Sequence, residues 1–163
     1  MKRKYLILLI VFVILLALDQ ASKLLIQRSV PLHQARDVIP GLFAIAHVEN
    51  RGAAFGLLAS LPGASTFFVI ISLIAIVLIG AYFHWLKEEE VWTSFCLALV
   101  LTGAVGNLID RFRLGSVVDF LDVHYRGLHW PAFNVADSCI TIGVLLLALK
   151  ILWGEKKDTG KKR

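Results

Sequence analysis

The chain has 163 residues, enough for one domain with a real core; 58% of it is hydrophobic and only 18% charged. That balance excludes an ordinary water-soluble domain. The net charge of +5 carries no RNA- or DNA-binding signature with it, because the lysines and arginines sit at the termini and in loops, as the basic flanks of membrane helices do. No nucleic-acid partner is expected.

Four apolar runs are each long enough to cross a bilayer, which takes about 20 residues at 1.5 Å rise. The first, approximately residues 5–26, follows MKRK and imitates a secretory signal peptide. No small-x-small cleavage site closes it, and apolar character resumes beyond Asp19, so a retained helix is expected. Near its far end, DQASK places Asp19 and Lys23 four apart on one helix face. Two readings stand there: a solvated helix end with a snorkelling lysine, or a charge pair that braces neighbouring helices or a site.

Residues 27–65 form a first outer loop, long for a bundle and therefore expected to have a task. Within it GLFAIAHVEN reads as a short strand between Pro40-Gly41 and Arg51-Gly52. NRGAAFG follows, where Asn50, Gly52 and Gly56 suit a turn and close backbone approach. A plain hairpin turn would use similar residues.

The second span, 66–85, has no ionisable residue before His84 and reads as scaffold. Trp85 and Trp92 flank a charged link and fit an interfacial aromatic belt. The third span, 92–110, ends in GAVGNLIDR, which sets Gly103, Asn107, Asp110 and Arg111 on one helix stripe. Gly103 and Gly106 permit close helix packing, and Asp110 beside Arg111 also fits simple mutual neutralisation.

The second outer loop, 111–134, contains a strand-like run, VVDFLDV, around Asp119 and Asp122, and a break at Trp130-Pro131. The last span, 135–153, opens with Asn134, a candidate cap, and Asp137, with Ser138 and Thr141 on the same side. Asp137 faces either the positive end of the helix dipole or a functional pocket. GEKKDTGKKR is expected to be a disordered basic tail. Cys96 and Cys139 lie in apolar runs and read as small hydrophobes; the five histidines lack HExxH-like spacing, so no metal is expected.

Four spans put both termini on one side. Ten of the 17 lysines and arginines fall at the chain ends and at Lys87, against seven on the long loops and their helix ends, which points to cytoplasmic termini and outward-facing loops. Asp19 with Lys23, Asn107 with Asp110 and Arg111, Asp119, and Asn134 with Asp137 then all fall towards the outer leaflet. Ionisable groups at membrane depth are costly and mark functional sites. No serine there has a histidine partner and no cysteine a polar setting, so the chemistry left is that of carboxylates. Two close carboxylates share a proton, so one acts as general base on water while the other polarises a carbonyl. Asp119 and Asp122 are only three apart, and spacing alone does not choose between them.

At these residues the chain closely resembles the bacterial lipoprotein signal peptidases (signal peptidase II): DQASK, NRGAAFG, GNLIDR, GSVVDF and FNVAD each match a family block, in order, over almost the whole chain. The resemblance implies an all-α integral membrane protein of four transmembrane helices, with a small extracytoplasmic β-cradle formed by the outer loops and a short helix over the site. It implies an aspartyl endopeptidase of the cytoplasmic (inner) membrane that removes signal peptides from prolipoproteins before a diacylglyceryl-modified cysteine. By the family's motifs the catalytic pair falls on Asp119 and Asp137. Asp19, Lys23, Asn50, Gly52, Asn107, Asp110, Arg111, Asn134 and Ala136 match positions that support the site or contact substrate. No cofactor is implied; the partners expected are prolipoproteins and membrane lipids, and a monomer is expected. The alternative is a small proton-coupled transporter or channel with the aspartates as a relay. Against it stand the missing internal repeat and the off-centre polar clusters.

Overall fold

The computed structural model describes residues 2–52 and 63–159. Four helices form the bundle: α1 (Arg3–Ser29), α2 (Ala64–Trp85), α3 (Val91–Leu114) and α4 (Val135–Thr159). All four contain windows long and apolar enough to cross a membrane. The four helices cover the residues of the expected spans and each is longer than expected; two of the overruns matter. α3 continues through Asp110 and Arg111 to Leu114, where Gly115 at φ 72° ends it and donates to the Arg111 carbonyl at 3.0 Å. α4 continues to Thr159, so part of the tail expected to be disordered is helical; residues 160–163 lie outside the described ones.

α3 is the hub and packs against each of the other three helices. In its most apolar window 67% of residues are buried, against 6%, 6% and 17% for α1, α2 and α4. Its buried residues explain the difference: Ser94, Cys96, Ala98, Thr102, Gly103, Ala104 and Gly106 are small. Lipid is as apolar as leucine, so membrane helices associate through close van der Waals packing, which small residues allow. A Cβ on Gly103 would collide with the Ala136 carbonyl oxygen and lie 2.6 Å from Ile140 Cγ1; on Gly106 it would lie 2.6 Å from Asp19 Oδ2. The large apolar side chains of α1 and α2, such as Ile14, Leu25, Val77 and Leu78, face outward, where lipid would solvate them.

The loops at one end of the bundle build an antiparallel sheet in the order β1 (Ala35–Ile39), β2 (Phe43–Asn50), β3 (Val117–Tyr125), β4 (Leu128–His129). β2 and β3 are the strands expected from the sequence. β1 was not expected: all five of its residues are exposed, and its pairing with β2 defines it. Val118 and Phe120 of β3 pack on Ile26 and Val30 at the end of α1, with Leu114 and Val135 against them. This cluster fixes the sheet where α1 and α3 end and α4 begins. Gly56 falls outside the described residues, and the short helix expected over the site is not among the described elements. At the other end of the bundle Lys4 is buried and donates to the carbonyls of Phe83, His84 and Leu86 at 3.1, 3.0 and 2.6 Å.

Candidate active site

The start of α4 anchors the site. Asn134 and Asp137 form a reciprocal capping box: the Asp137 amide donates to Asn134 Oδ1 at 2.9 Å, and the Asn134 amide donates to Asp137 Oδ2 at 3.3 Å. The next orphan amide, that of Ala136, donates to Asp19 Oδ1 of α1 at 2.9 Å. Asn134 is therefore a cap, and it is also part of the site. Its side-chain NH₂, unused by the cap, donates to Asp119 Oδ1 at 2.7 Å, with Asn107 Oδ1 and the Val118 carbonyl at 3.2 and 3.3 Å.

Beneath this lies an ion triad. Lys23 Nζ is 2.9 Å from both Asp19 Oδ2 and Asp110 Oδ2, and all three side chains are essentially inaccessible. The snorkelling reading of Lys23 is thereby corrected. Its third donor reaches Asn107 Oδ1 at 3.1 Å. With its carbonyl held by Lys23, Asn107 turns its NH₂ to Asp137 Oδ1 at 2.7 Å. Asp110 Oδ2 also accepts from the Val118 amide at 3.3 Å, which fixes the strand carrying Asp119. Gln20, overlooked in DQASK, donates to Asp19 at 3.0 Å and to Asp110 at 3.3 Å. Its position three residues before Lys23, on the same helix face, is the signal that could have found it.

The expected neutralisation of Asp110 by Arg111 does not occur. Consecutive helix residues diverge: Asp110 meets Lys23, while Arg111 reaches the carbonyls of Gly52 and Asn107, each at 3.5 Å, and lies 5.3 Å from the Phe68 ring centre. Gly52 is positioned in turn by its amide's bond to Asn50 Oδ1 at 2.9 Å. Asn50 Nδ2 donates to Asp119 Oδ2 at 3.1 Å. Among the described residues Asp122 bonds to His129 and to no member of this network.

Asp119 is 3% exposed. Burial pushes its carboxyl up to about 7, and the charge of Asp137 adds to the rise; the bonds from Asn50 and Asn134 pull the other way. Two cavities meet at this residue. One, of about 680 Å³, contains Asp119, Asp137, Asn107 and Arg111 at its polar end and is walled by Phe68, Ile71 and Ala75 of α2, Val100 and Ala104 of α3 and Ile140 of α4. The other, of about 490 Å³, is lined by Glu49, Arg51, Asp122 and His129. Asn50, Asp119 and the Trp130–Ala132 segment belong to both walls. Trp130, which the sequence suggested only as part of a break, is thus a wall of the site. All the residues expected here, from Asp19 to Asp137, join one connected network.

Residues 11–153 match the family described as Signal peptidase (SPase) II. The chain belongs to the signal peptidase II family. It is 45% identical over 159 residues to the lipoprotein signal peptidase of Geobacter metallireducens, covering 98% of both chains. With that of Geobacter sulfurreducens it shares 49% identity over 142 residues, 87% of this chain and 89% of the relative. A solved bacterial membrane enzyme, determined by the in meso method at 2.3 Å, superposes with a TM-score of 0.82 at 35% identity, covering 96% of this chain and 91% of the other. The signal peptidase II match, with four spanning helices, makes this a multi-pass inner-membrane protein. The transporter alternative finds no support in these matches.

Proposed function

We propose that the protein is an aspartyl endopeptidase in which Asp119 and Asp137 are the catalytic pair. Its family makes it a protease of lipoprotein processing that removes signal peptides from prolipoproteins. The observation that carries the aspartyl reading is that two carboxylates from separate elements share one cavity, where burial and the neighbouring charge of Asp137 raise Asp119 to about 7. Near neutral pH Asp119 is then about half protonated, so a form with one protonated and one ionised carboxylate is available to the pair. The ionised carboxylate takes a proton from the attacking water, and the protonated one donates a hydrogen bond to the scissile carbonyl oxygen. Collapse of the tetrahedral diol breaks the C–N bond, and the proton taken from water passes to the leaving amine. This cycle calls for neither metal nor cofactor.

The scissile bond is the one before a diacylglyceryl-modified cysteine. The apolar walls from α2, α3 and α4 suit acyl chains, and the polar cavity beside β2 gives water a route to Asp119. Lys23, Asp19 and Asp110 position Asn107 and α4, while Asn50 and Asn134 aim Asp119. The basic chain ends support cytoplasmic termini, with the sheet and the site towards the outer face. One chain supplies the whole network, which supports action as a monomer.

The test is cleavage of a diacylglyceryl-modified prolipoprotein by purified wild type, Asp119→Asn, Asp137→Asn and, as control, Asp122→Asn. The first two are expected to lose more than about 100-fold in rate, the scale of general acid–base catalysis, with the control near wild type. An active Asp119→Asn beside a dead Asp122→Asn would move the dyad to the other carboxylate. Folded wild type without cleavage would end the peptidase reading.

A further inference from the structure

A second group of reactive side chains lies on the β3–β4 hairpin, apart from the spanning helices. Arg126 and Gly127, both at positive φ (51° and 80°), make its two-residue turn. That turn sets the register His124 opposite His129 and Tyr125 opposite Leu128. Residues two apart on a strand share a face, so Asp122 and His124 stand side by side with His129 across from them. His129 Nδ1 lies 2.9 and 3.0 Å from the two Asp122 oxygens. His124 Nδ1 lies 3.7 Å from Asp122 Oδ1, and the imidazoles stack with centroids 4.7 Å apart. One ligand atom from each residue falls within 4.8 Å of the others.

His124 Nδ1 is buried and has no hydrogen-bond partner among the described residues. A buried imidazole nitrogen left unsatisfied is costly, and a metal ion would satisfy it. A tetrahedral ion with bonds of about 2.0–2.2 Å holds its ligand atoms about 3.3–3.6 Å apart; the two imidazoles stand 2.9 and 3.7 Å from Asp122 Oδ1, and all three ligand atoms lie within 4.8 Å of one another. Two imidazoles and one carboxylate suit zinc-like ions and disfavour calcium or magnesium, which prefer all-oxygen ligands.

We propose that Asp122, His124 and His129 form a binding site for a zinc-class divalent transition ion, which fastens β4 to β3 and leaves one coordination position open. The open position adjoins the polar cavity that Asp122 and His129 share with Asp119. The site stands independently of the peptidase reading. The sequence expectation of no metal rested on helical ligand spacing; here the ligands are gathered by hairpin register.

The test uses full-length protein without a histidine tag, in detergent micelles, after chelator treatment. Zn²⁺ is titrated by calorimetry, and Co²⁺ absorption is followed as a signature of tetrahedral N/O ligation. Wild type is expected to bind one equivalent at micromolar affinity or tighter and to unfold at a higher temperature with Zn²⁺ present. His129→Ala and Asp122→Asn are expected to weaken binding by roughly tenfold or more, since each removes one of three protein ligands. The His129 side chain is 56% exposed, so this variant keeps the fold. Absence of stoichiometric binding to wild type, or equal binding by His129→Ala, would overturn the site and leave an Asp122–His129 hydrogen bond only.

Discussion

Two lysines on α1 are almost equally hidden, Lys4 at 4% and Lys23 at 2% exposure, and stand about 28 Å apart along the helix at 1.5 Å per residue. Lys4 is held by three carbonyls of the last turn of α2 and the residue after it. They are neutral dipoles at the negative end of a helix, and the joint is self-contained. Lys23 is held by two carboxylates and the Asn107 amide oxygen. Its triad keeps a net negative charge beside a further carboxylate pair, and each partner orients another group: Asp19 the start of α4, Asp110 the start of β3, Asn107 the Asp137 carboxylate. The same side chain at the same burial makes a clamp in one place and, in the proposed active site, a scaffold for the carboxylate pair in the other. What differs is whether its acceptors have orienting work left to do.

The largest expected effect separates the two. Lys23→Met leaves two buried carboxylates unpaired, a loss of about 3–5 kcal/mol in stability, and cleavage is expected to drop at least about 100-fold because Asn107 and Asp137 lose their alignment. Thermal unfolding and initial-rate measurements read both. Activity within a few-fold of wild type would mean that Lys23 is a clamp like Lys4.

The next effect is a response to pH that only the Lys23 end can show. Asp119 holds its proton to about pH 7 when folded, against 3.8 for an ordinary aspartate. The folded state therefore binds more protons than the unfolded between these values, and stability falls as pH rises from about 4 to 7. Asp119→Asn should remove that fall. Its unfolding temperature should exceed wild type at pH 8, and the gap should shrink towards pH 4. The gain stays below the roughly 4 kcal/mol of the full shift, because one amide must then face that of Asn50. Wild-type cleavage should decline above pH 7 as the shared proton is lost. A gap that instead widened in acid would contradict the raised carboxyl.

The smallest effect belongs to Lys4. Lys4→Met leaves carbonyls at the end of α2 without their donor and should cost about 1–3 kcal/mol. Its acceptors do not titrate, so the loss should be the same at pH 5 and pH 8, with cleavage unchanged at a permissive temperature. Denaturation at both pH values and a rate assay decide this, and loss of cleavage without loss of stability would break the comparison.

The spans and the polar end of the bundle were legible because membrane depth makes polarity conspicuous. An Asp19 or an Asp110 in an apolar run needs a partner, and spacing on a helix shows which face it occupies. What escaped depended on contacts between distant segments. MKRK shows a basic end, but that α2 finishes beside Lys4 is a property of packing. Asp110 and Arg111 invite pairing on paper, yet the helix turns them apart. β1 carries Arg36 and Asp37 on an exposed edge and becomes a strand only through β2. Asp122, His124 and His129 show no ligand spacing until the turn at Arg126-Gly127 folds one strand on the other.

The larger cavity has walls from α2 and α4, and both helices pack mainly along α3. For a substrate dissolved in the same bilayer, the relevant quantity is its mole fraction among lipids, not its molarity in the buffer. Assayed in micelles, half-saturation should scale with added detergent at fixed total substrate. Two laboratories using different amounts of detergent would report different Michaelis constants for the same protein, and surface dilution would reconcile them.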